Sequence, residues 1–507
     1  MMKKIFFAIM MACLLCIGIN SNIVYASDNM AYGADVGWLS QLEDDGVIWI
    51  DDNGEQKDPI LLLKEKGINA IRIRAFVKPN TDFKWTKPDG STCWLGYNDT
   101  KGVLYTAKRA KELDMDVMIV LHYSDHFADP MYQDVPSEWK DATASELEKY
   151  VYDYTYYLMT QLANEGVYPK WVEVGNEING GILHPYGNST TNFKQLTAYL
   201  NSGYNAVKAV SPNSKVVTHL ANLGNLDVGA SDDFTWFLDN FINTYGGKTD
   251  IIGMSYYPYW IGKNDIEGLS QNLYELSQKY NKEVMVVETG GDAGNPQETY
   301  NLLRKEINAL KSVPGNKGAG IFYWEPEAHS SLLPDQYPLG ATELVGEKIL
   351  KYTTALDAFK QEPVFLSSET GFEIRNYVSG KALNVAGGDL NNYANIEQYE
   401  YNGWDSQKWY FEKTEGDYYK IVNKNSGKVL EIDGMSMLEN AACTQYDYND
   451  GWNQMWKIIP TNDGNYKIQN RMSGLYLGIK NGSSDNGAWC VQVADGNDVK
   501  WYLFVTE

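Results

Sequence analysis

Eight short apolar runs, each followed by a helix-patterned stretch, fill residues 31 to 360 of this 507-residue chain and restrict its fold more than any other feature. The runs are Ala31–Gly37, Ile68–Phe76, Asp116–Tyr123, Trp171–Glu177, Ser214–Asn222, Asp250–Pro258, Glu283–Gly290 and Gly318–Pro326. Asp116-Val-Met-Ile-Val-Leu-His122 is nearly all apolar, as a parallel strand covered on both faces must be. Helical stretches such as Asp99–Leu113, Ser145–Gly166 and Thr299–Lys311 lie between the runs. Eight β/α units of roughly 41 residues predict an α/β fold, a closed (β/α)8 TIM barrel, over residues 27–360. A doubly wound open sheet usually carries a glycine-rich phosphate loop after its first strand, and none is present here.

In such a barrel the chemistry belongs at the C-terminal ends of the strands. Polar residues collect there: Arg72 and Arg74, His122 with Asp125, Asn176 with Glu177, His219 with Asn222, Tyr256 with Tyr257, Glu288, and Trp324 with Glu325. Glu177 and Glu288 end the fourth and seventh runs, so they would face each other across the barrel mouth. Glycoside hydrolysis needs such a pair, one carboxylic acid to protonate the leaving oxygen and one carboxylate at the anomeric carbon. A gap of about 5–5.5 Å gives retention, and a wider one inversion. Two close carboxylates cannot both ionise cheaply, so one stays protonated as the acid. Glu173 and Glu325 are the rival carboxylates. Glu173 lies deeper in its strand, where a salt bridge to a core arginine is the simpler role. His122 and His126 sit at a strand end and not on a helix, and no Cys or carboxylate completes a ligand set, so no metal or other cofactor is expected.

After the last helix, expected to end near Lys360, a linker over 361–370 leads into a threefold repeat over 371–507. Ser379-Gly-Lys-Ala-Leu383, Ser426-Gly-Lys-Val-Leu430 and Ser473-Gly-Leu-Tyr-Leu477 recur with a period of 47 residues. Trp409, Trp456 and Trp501 close the copies, and their fixed place in each one makes them core residues. Three copies of short strands fit an all-β trefoil better than a propeller.

The net charge of −23 offers no basic stretch for a phosphate backbone or an anionic membrane, so neither nucleic acid nor membrane is expected as a partner. The 37 Tyr and 15 Trp suit sugar rings, which present C–H patches beside hydroxyls. At the N-terminus Lys3 and Lys4, the apolar Ile5–Ile19 and Val24-Tyr25-Ala26 read as a signal peptide over 1–26, which implies a secreted, extracellular protein. Its removal leaves Cys93, Cys443 and Cys490, which make no disulfide framework and read as buried small hydrophobes.

Seven stretches in order, one near the end of every strand but the fifth, resemble glycoside hydrolase family 53, the endo-β-1,4-galactanases of clan A. They are Gly33-Ala-Asp-Val-Gly-Trp38, Gly67-Ile-Asn-Ala-Ile-Arg-Ile-Arg74, His122-Tyr-Ser-Asp125 with Ala128-Asp-Pro130, Val174-Gly-Asn-Glu-Ile-Asn179, Ser255-Tyr-Tyr-Pro-Tyr-Trp260, Val287-Glu-Thr-Gly290 and Phe322-Tyr-Trp-Glu-Pro326. The resemblance implies a retaining arabinogalactan endo-β-1,4-galactanase that acts, as a monomer, on the β-1,4-galactan of pectin. It implies Glu177 as acid/base and Glu288 as nucleophile, with Asn176 on the sugar 2-hydroxyl and Tyr256 or Tyr257 touching the nucleophile. Arg74 is expected beside Glu288, and His122, Asp125, Trp260 and Trp324 complete the substrate-binding set. The family usually has Trp at Phe127 and His at Ile261, and Gly291–Pro296 lacks the calcium loop of some members. Alternatives are another clan A endo-β-glycanase, a mannanase or xylanase, or a lectin or adhesin with an inactive barrel. The repeat resembles ricin-type trefoil lectins and carbohydrate-binding module family 13. That resemblance implies carbohydrate contacts from Glu431, Tyr446, Asn449 and Asn453 in the second copy and from Asn384, Tyr399 and Asn402 in the first. The third, with Gly478 and Val493, has lost its site.

Overall fold

A computed structural model describes residues 30–221, 230–262, 264–360, 366, 368–461, 465–496 and 499–506. The expected signal segment, Asn222 and most of the linker lie outside the described residues.

The eight strands are β1 (Ala31–Asp35), β2 (Ala70–Ala75), β3 (Asp116–Leu121), β4 (Trp171–Val174), β5 (Lys215–Leu220), β6 (Ile251–Tyr256), β7 (Glu283–Thr289) and β8 (Gly318–Trp324). Each is hydrogen-bonded in parallel to the next, and β8 returns to β1, closing the barrel. The residues of these strands are almost all inaccessible, as strands covered on both faces must be. The barrel floor is filled by Ala31, Ala70, Met118, Trp171, Val217, Ile251, Met285 and Phe322. Gly33 on β1 leaves the space the Phe322 ring occupies: a Cβ there would lie 2.0 Å from it.

The helices start where side chains can cap them. Asp99 accepts from Gly102 N–H ahead of Thr100–Glu112, and Asn295 with Pro296 opens Pro296–Lys311. Thr143 and Glu146 form a reciprocal capping box ahead of Ala144–Asn164. That helix buries Leu147, Val151, Leu158, Met159 and Leu162 along one face, each contributing roughly 1.5–3 kcal/mol. The eighth unit departs from expectation. After β8 the chain forms a hairpin, Thr342–Gly346 with Ile349–Tyr352, that joins Ile48–Ile50 in a small sheet, and it ends in the 3-10 turn Thr354–Phe359 in place of a regular helix.

Residues 371–506 form the trefoil. Trp409, Trp456 and Trp501 are fully buried, and each indole N–H donates at 2.9 Å to the carbonyl of Leu383, Leu430 or Leu477. The copies interlock through Gln398, Gln445 and Gln492, each of which accepts from the serine of its own turn. Each also donates to two carbonyls in the preceding copy's loop, with copy three feeding copy one. The three cysteines are buried and unpaired. The trefoil meets the barrel at the loop leading into β8, where Gly315 N–H donates to Tyr377 O at 3.1 Å and the Tyr502 hydroxyl to Val313 O. That loop lies at the N-terminal end of the barrel, away from the strand ends that carry the polar set.

Candidate active site

Alternation along β2 sends both arginines into the barrel, where they are almost fully buried. Arg72 is the hub. Its Nε and Nη2 grip both oxygens of Glu173 at 2.8 Å, and Nη1 reaches Asp35 and Glu288, each also at 2.8 Å. The expected arginine at Glu288 is therefore Arg72 and not Arg74. Arg74 Nη1 is held by Glu325 and Asp35, and its guanidinium lies 4.8 Å from the centre of the Phe127 ring. Both side chains point inward, so the choice between them rests on the stagger of neighbouring strands, which one strand's sequence does not carry. The rival carboxylates are taken up in the framework. Glu173 binds Arg72 and His219, which outweigh burial and hold it down at about 2. Glu325 accepts from Gly37 and Trp38 N–H groups.

Glu288 faces Arg72 with one oxygen and accepts from the Tyr257 hydroxyl at 3.1 Å with the other. The register between β6 and β7 shifts at Met254/Ser255, a bulge that sets Ser255 opposite Glu288. Burial first and Glu288 next raise the Tyr257 phenol well above its usual range, so it remains a donor. Tyr256 points the other way. It is fully buried and donates to Asn264 Oδ1 at 3.3 Å, so the expectation that it binds substrate is not met.

Glu177 follows β4 in a left-handed backbone conformation (φ 48°, ψ 53°), which costs a non-glycine residue about 1–2 kcal/mol and turns its side chain into the mouth. Burial and then the charge of Glu288 push its carboxyl up to about 7, against the opposing pull of His219 and Ser255. Oε1 accepts from Ser255 Oγ at 2.5 Å, and that oxygen lies 2.8 Å from His219 Nε2. Asn176 is spread between Arg72, His219 and Ala128, which fixes its carboxamide beside Glu177. Sequence reasoning passed over Ser255 as a site residue; its only signal was its place at the head of Ser255-Tyr-Tyr-Pro258.

His122 accepts from Ala128 N–H at Nδ1, and burial, then Arg74 and Arg72, lower it well below its usual range. With Nδ1 accepting, the neutral ring carries its proton on Nε2. Asp125 does not join it: its oxygens accept from Lys78 and Ser137 N–H groups and staple two loops. Trp324 packs edge-on against Trp38 and Tyr337 as one wall, while Trp260 stands exposed against Tyr259. Trp85, stacked on His126 at 4.1 Å, is a further aromatic on the loops of this end. Among the described residues no group of three or more His, Cys, Asp or Glu side chains is arranged to hold a metal ion.

In the trefoil's second copy Glu431 accepts from Gln454 and Asn453 at 2.9 and 3.3 Å. Tyr446 meets Tyr393, which the preceding copy's loop contributes, edge to face at 4.8 Å. Asn449 instead turns onto its own loop, accepting from Gly451 N–H. In the first copy Asn384 donates at 2.9 Å to Glu397, a carboxylate on the facing strand. Tyr399 stands two residues further along that strand, half-buried, and Asn402 accepts from Trp404 N–H within its own turn. In the third copy Val493 fills the space beside Gly478.

The sequence model of glycosyl hydrolase family 53 matches residues 31–408, and that of the ricin-type beta-trefoil lectin domain-like family residues 405–493. The arabinogalactan endo-beta-1,4-galactanase A of Emericella nidulans is 33% identical over 318 residues, 58% of this chain and 84% of that one. The arabinogalactan endo-beta-1,4-galactanase of Cellvibrio japonicus is 31% identical over 332 residues, 59% of this chain and 81% of that one. A GH53 catalytic domain from Ignisphaera aggregans superposes with a TM-score of 0.58 at 27% identity, over 67% of this chain and 99% of that one. With its closed parallel barrel and the trefoil behind it, the chain belongs to glycosyl hydrolase family 53 and carries a C-terminal ricin-type β-trefoil lectin-like domain.

Proposed function

We propose that this protein is a secreted arabinogalactan endo-β-1,4-galactanase that cuts internal β-1,4-galactosidic bonds with retention of configuration. The observation that carries the reading is the opposite setting of two facing carboxyls. Glu288 is gripped by the Arg72 guanidinium and the Tyr257 hydroxyl, while Glu177 is pushed up to about 7 and keeps its proton near neutrality. A retaining hydrolase needs two carboxyls in such different settings.

In the first step a Glu288 oxygen bonds to the anomeric carbon, the glycosidic C–O bond breaks, and the departing oxygen takes the proton of Glu177. In the second, water attacks the anomeric carbon, Glu177 accepts its proton, and the bond to Glu288 breaks. Asn176 Nδ2 and His122 Nε2 would donate to sugar hydroxyls in this reading. The choice of galactan is supported by the galactanases this chain resembles. The N-terminal pattern supports secretion, and the trefoil's aromatic and carboxylate clusters support a carbohydrate ligand there.

Purified protein assayed on galactan, mannan and xylan tests this. Galactan should be cut best, the first product should be the β-anomer by NMR, and Glu288→Gln should be inactive. Preference for mannan or xylan, an α-anomer, or an active Glu288→Gln overturns the corresponding part.

A further inference from the structure

A buried chain of hydrogen bonds runs from the framework into Glu177, and the proposed reaction leaves it without a role. His219 Nδ1 lies 3.0 Å from Glu173 Oε2 and 3.1 Å from Asn176 Oδ1. Both are acceptors, so Nδ1 carries a hydrogen. His219 Nε2 lies 2.8 Å from Ser255 Oγ, and that hydroxyl lies 2.5 Å from Glu177 Oε1. A serine hydroxyl has a single hydrogen to give. When Glu177 is ionised the hydrogen points to its carboxylate, and Ser255 Oγ can then accept from Nε2–H. In that state His219 carries hydrogens on both nitrogens. When Glu177 holds its proton on Oε1, the chain can run the other way, with Ser255 donating to a bare Nε2.

We propose that Ser255 passes a proton between His219 and Glu177, so that these two residues position the acid/base and supply the charge that balances its carboxylate. The inference rests on the proposed role of Glu177. The move breaks the Nε2–H and the old Oγ–H bond and forms a new Oγ–H and the Oε1–H bond. One proton is transferred in net, and no electron changes hands. In the glycosyl-enzyme the charge of Glu288 is gone and Glu177 has just given up its proton. Ser255 then turns its hydrogen to the new carboxylate, which takes the proton of water. One proton passes through the hydroxyl to the bare Nε2, leaving a doubly protonated His219 facing an ionised Glu177.

The setting supports this charge state. Burial alone would lower His219, but Glu173 at Nδ1 outweighs it and holds the ring above its usual range. The other groups facing the pair are accounted for. Around Glu177 they are Glu288 on β7, Asp129 in the loop after β3, and Tyr257. Around His219 they are Glu173 on β4, Arg72 on β2, Glu288, and His122 after β3. None of these is altered by removing the Ser255 hydroxyl.

The test is the pH dependence of kcat/KM on galactan for the native enzyme, Ser255→Ala, Ser255→Thr and His219→Gln. Losing the donor destabilises ionised Glu177, so in Ser255→Ala and His219→Gln the alkaline limb should move to higher pH by about half a unit or more. Ser255→Thr keeps the hydroxyl and should restore the native limb. A limb that stays put while the rate falls at every pH, or that moves to lower pH, overturns the proposal and leaves Ser255 as a space-filling residue. Should His219→Gln fail to fold, Ser255→Ala, which removes one buried oxygen, still decides. Glu177→Ala on an activated aryl galactoside separates the two readings. If the alkaline limb survives there, Glu177 is not the acid and the proposed function fails. If it vanishes there but is unmoved in Ser255→Ala, only the relay fails.

Discussion

Arg72 Nη1 lies 2.8 Å from Glu288 Oε1 while the other side of the same guanidinium grips Glu173. A planar fork can hold both carboxylates at once, and an ammonium cannot. Arg72→Lys is therefore expected to lower kcat about 100-fold or more, since the nucleophile loses its fixed partner. Its melting temperature should fall as well, because the buried Glu173 is left half-satisfied. A variant with near-native kcat in steady-state assays would show that Glu288 does not depend on this contact.

Glu177→Ala should separate the two chemical steps. Substrates with a good leaving group need no acid and should still glycosylate Glu288, while turnover on galactan collapses. Added azide should restore turnover by attacking the intermediate without base help, giving a glycosyl azide detectable by mass spectrometry. The activity of the native enzyme should fall as pH rises through about 7, where Glu177 loses its proton.

Stability should have a pH signature of its own in Glu327. Burial first, then neighbouring Glu325, raise its carboxyl well above the ordinary value. A carboxyl raised in the folded state stabilises the protein while protonated, fully below its unfolded value near 4.5, and that contribution is lost as pH climbs through the raised value. Glu327→Gln cannot ionise, so melting temperatures from pH 5 to pH 9 should decline less steeply than for the native chain. Parallel declines would count against a protonated Glu327.

The trefoil packs on the loop before β8, at the end of the barrel away from Glu177 and Glu288. It cannot extend the catalytic groove there. Removing residues 371–507 should leave hydrolysis of short soluble oligosaccharides almost unchanged and weaken action on dilute or insoluble polymer, where tethering raises local concentration. Within the full chain, affinity electrophoresis on galactan should show the largest loss for Tyr446→Ala, whose ring forms a corner with Tyr393. Tyr399→Ala should lose less, since Glu397 beside it is committed to Asn384. Val493→Ala should lose nothing measurable. Equal losses at all three would mean that folding, and not sugar contact, is being measured.

The barrel, the trefoil and the two carboxylates were legible in the sequence because each rests on local periodicity. Runs buried on both faces read as strands, a 47-residue period sets out three equivalent copies, and a polar side chain at the end of an apolar strand stands out against its neighbours. Relations between strands were not legible. Arg72 and Arg74 share one strand and one face, so the stagger of the closed barrel decided which of them met Glu288. Tyr256 and Tyr257 are adjacent, and the bulge after Met254 helped turn Tyr257 toward the nucleophile. Asp125 read as a substrate-binding residue at its strand end, but two loop N–H groups claim its oxygens. Glu397 faces Asn384 from the next strand of the same trefoil copy, a pairing set by the register of the two strands. The sequence by itself determined which elements form and which residues carry charge at their ends, since those follow from burial along one segment. Only the tertiary structure decided which charged groups touch, because that depends on register and backbone handedness summed over strands distant in the chain.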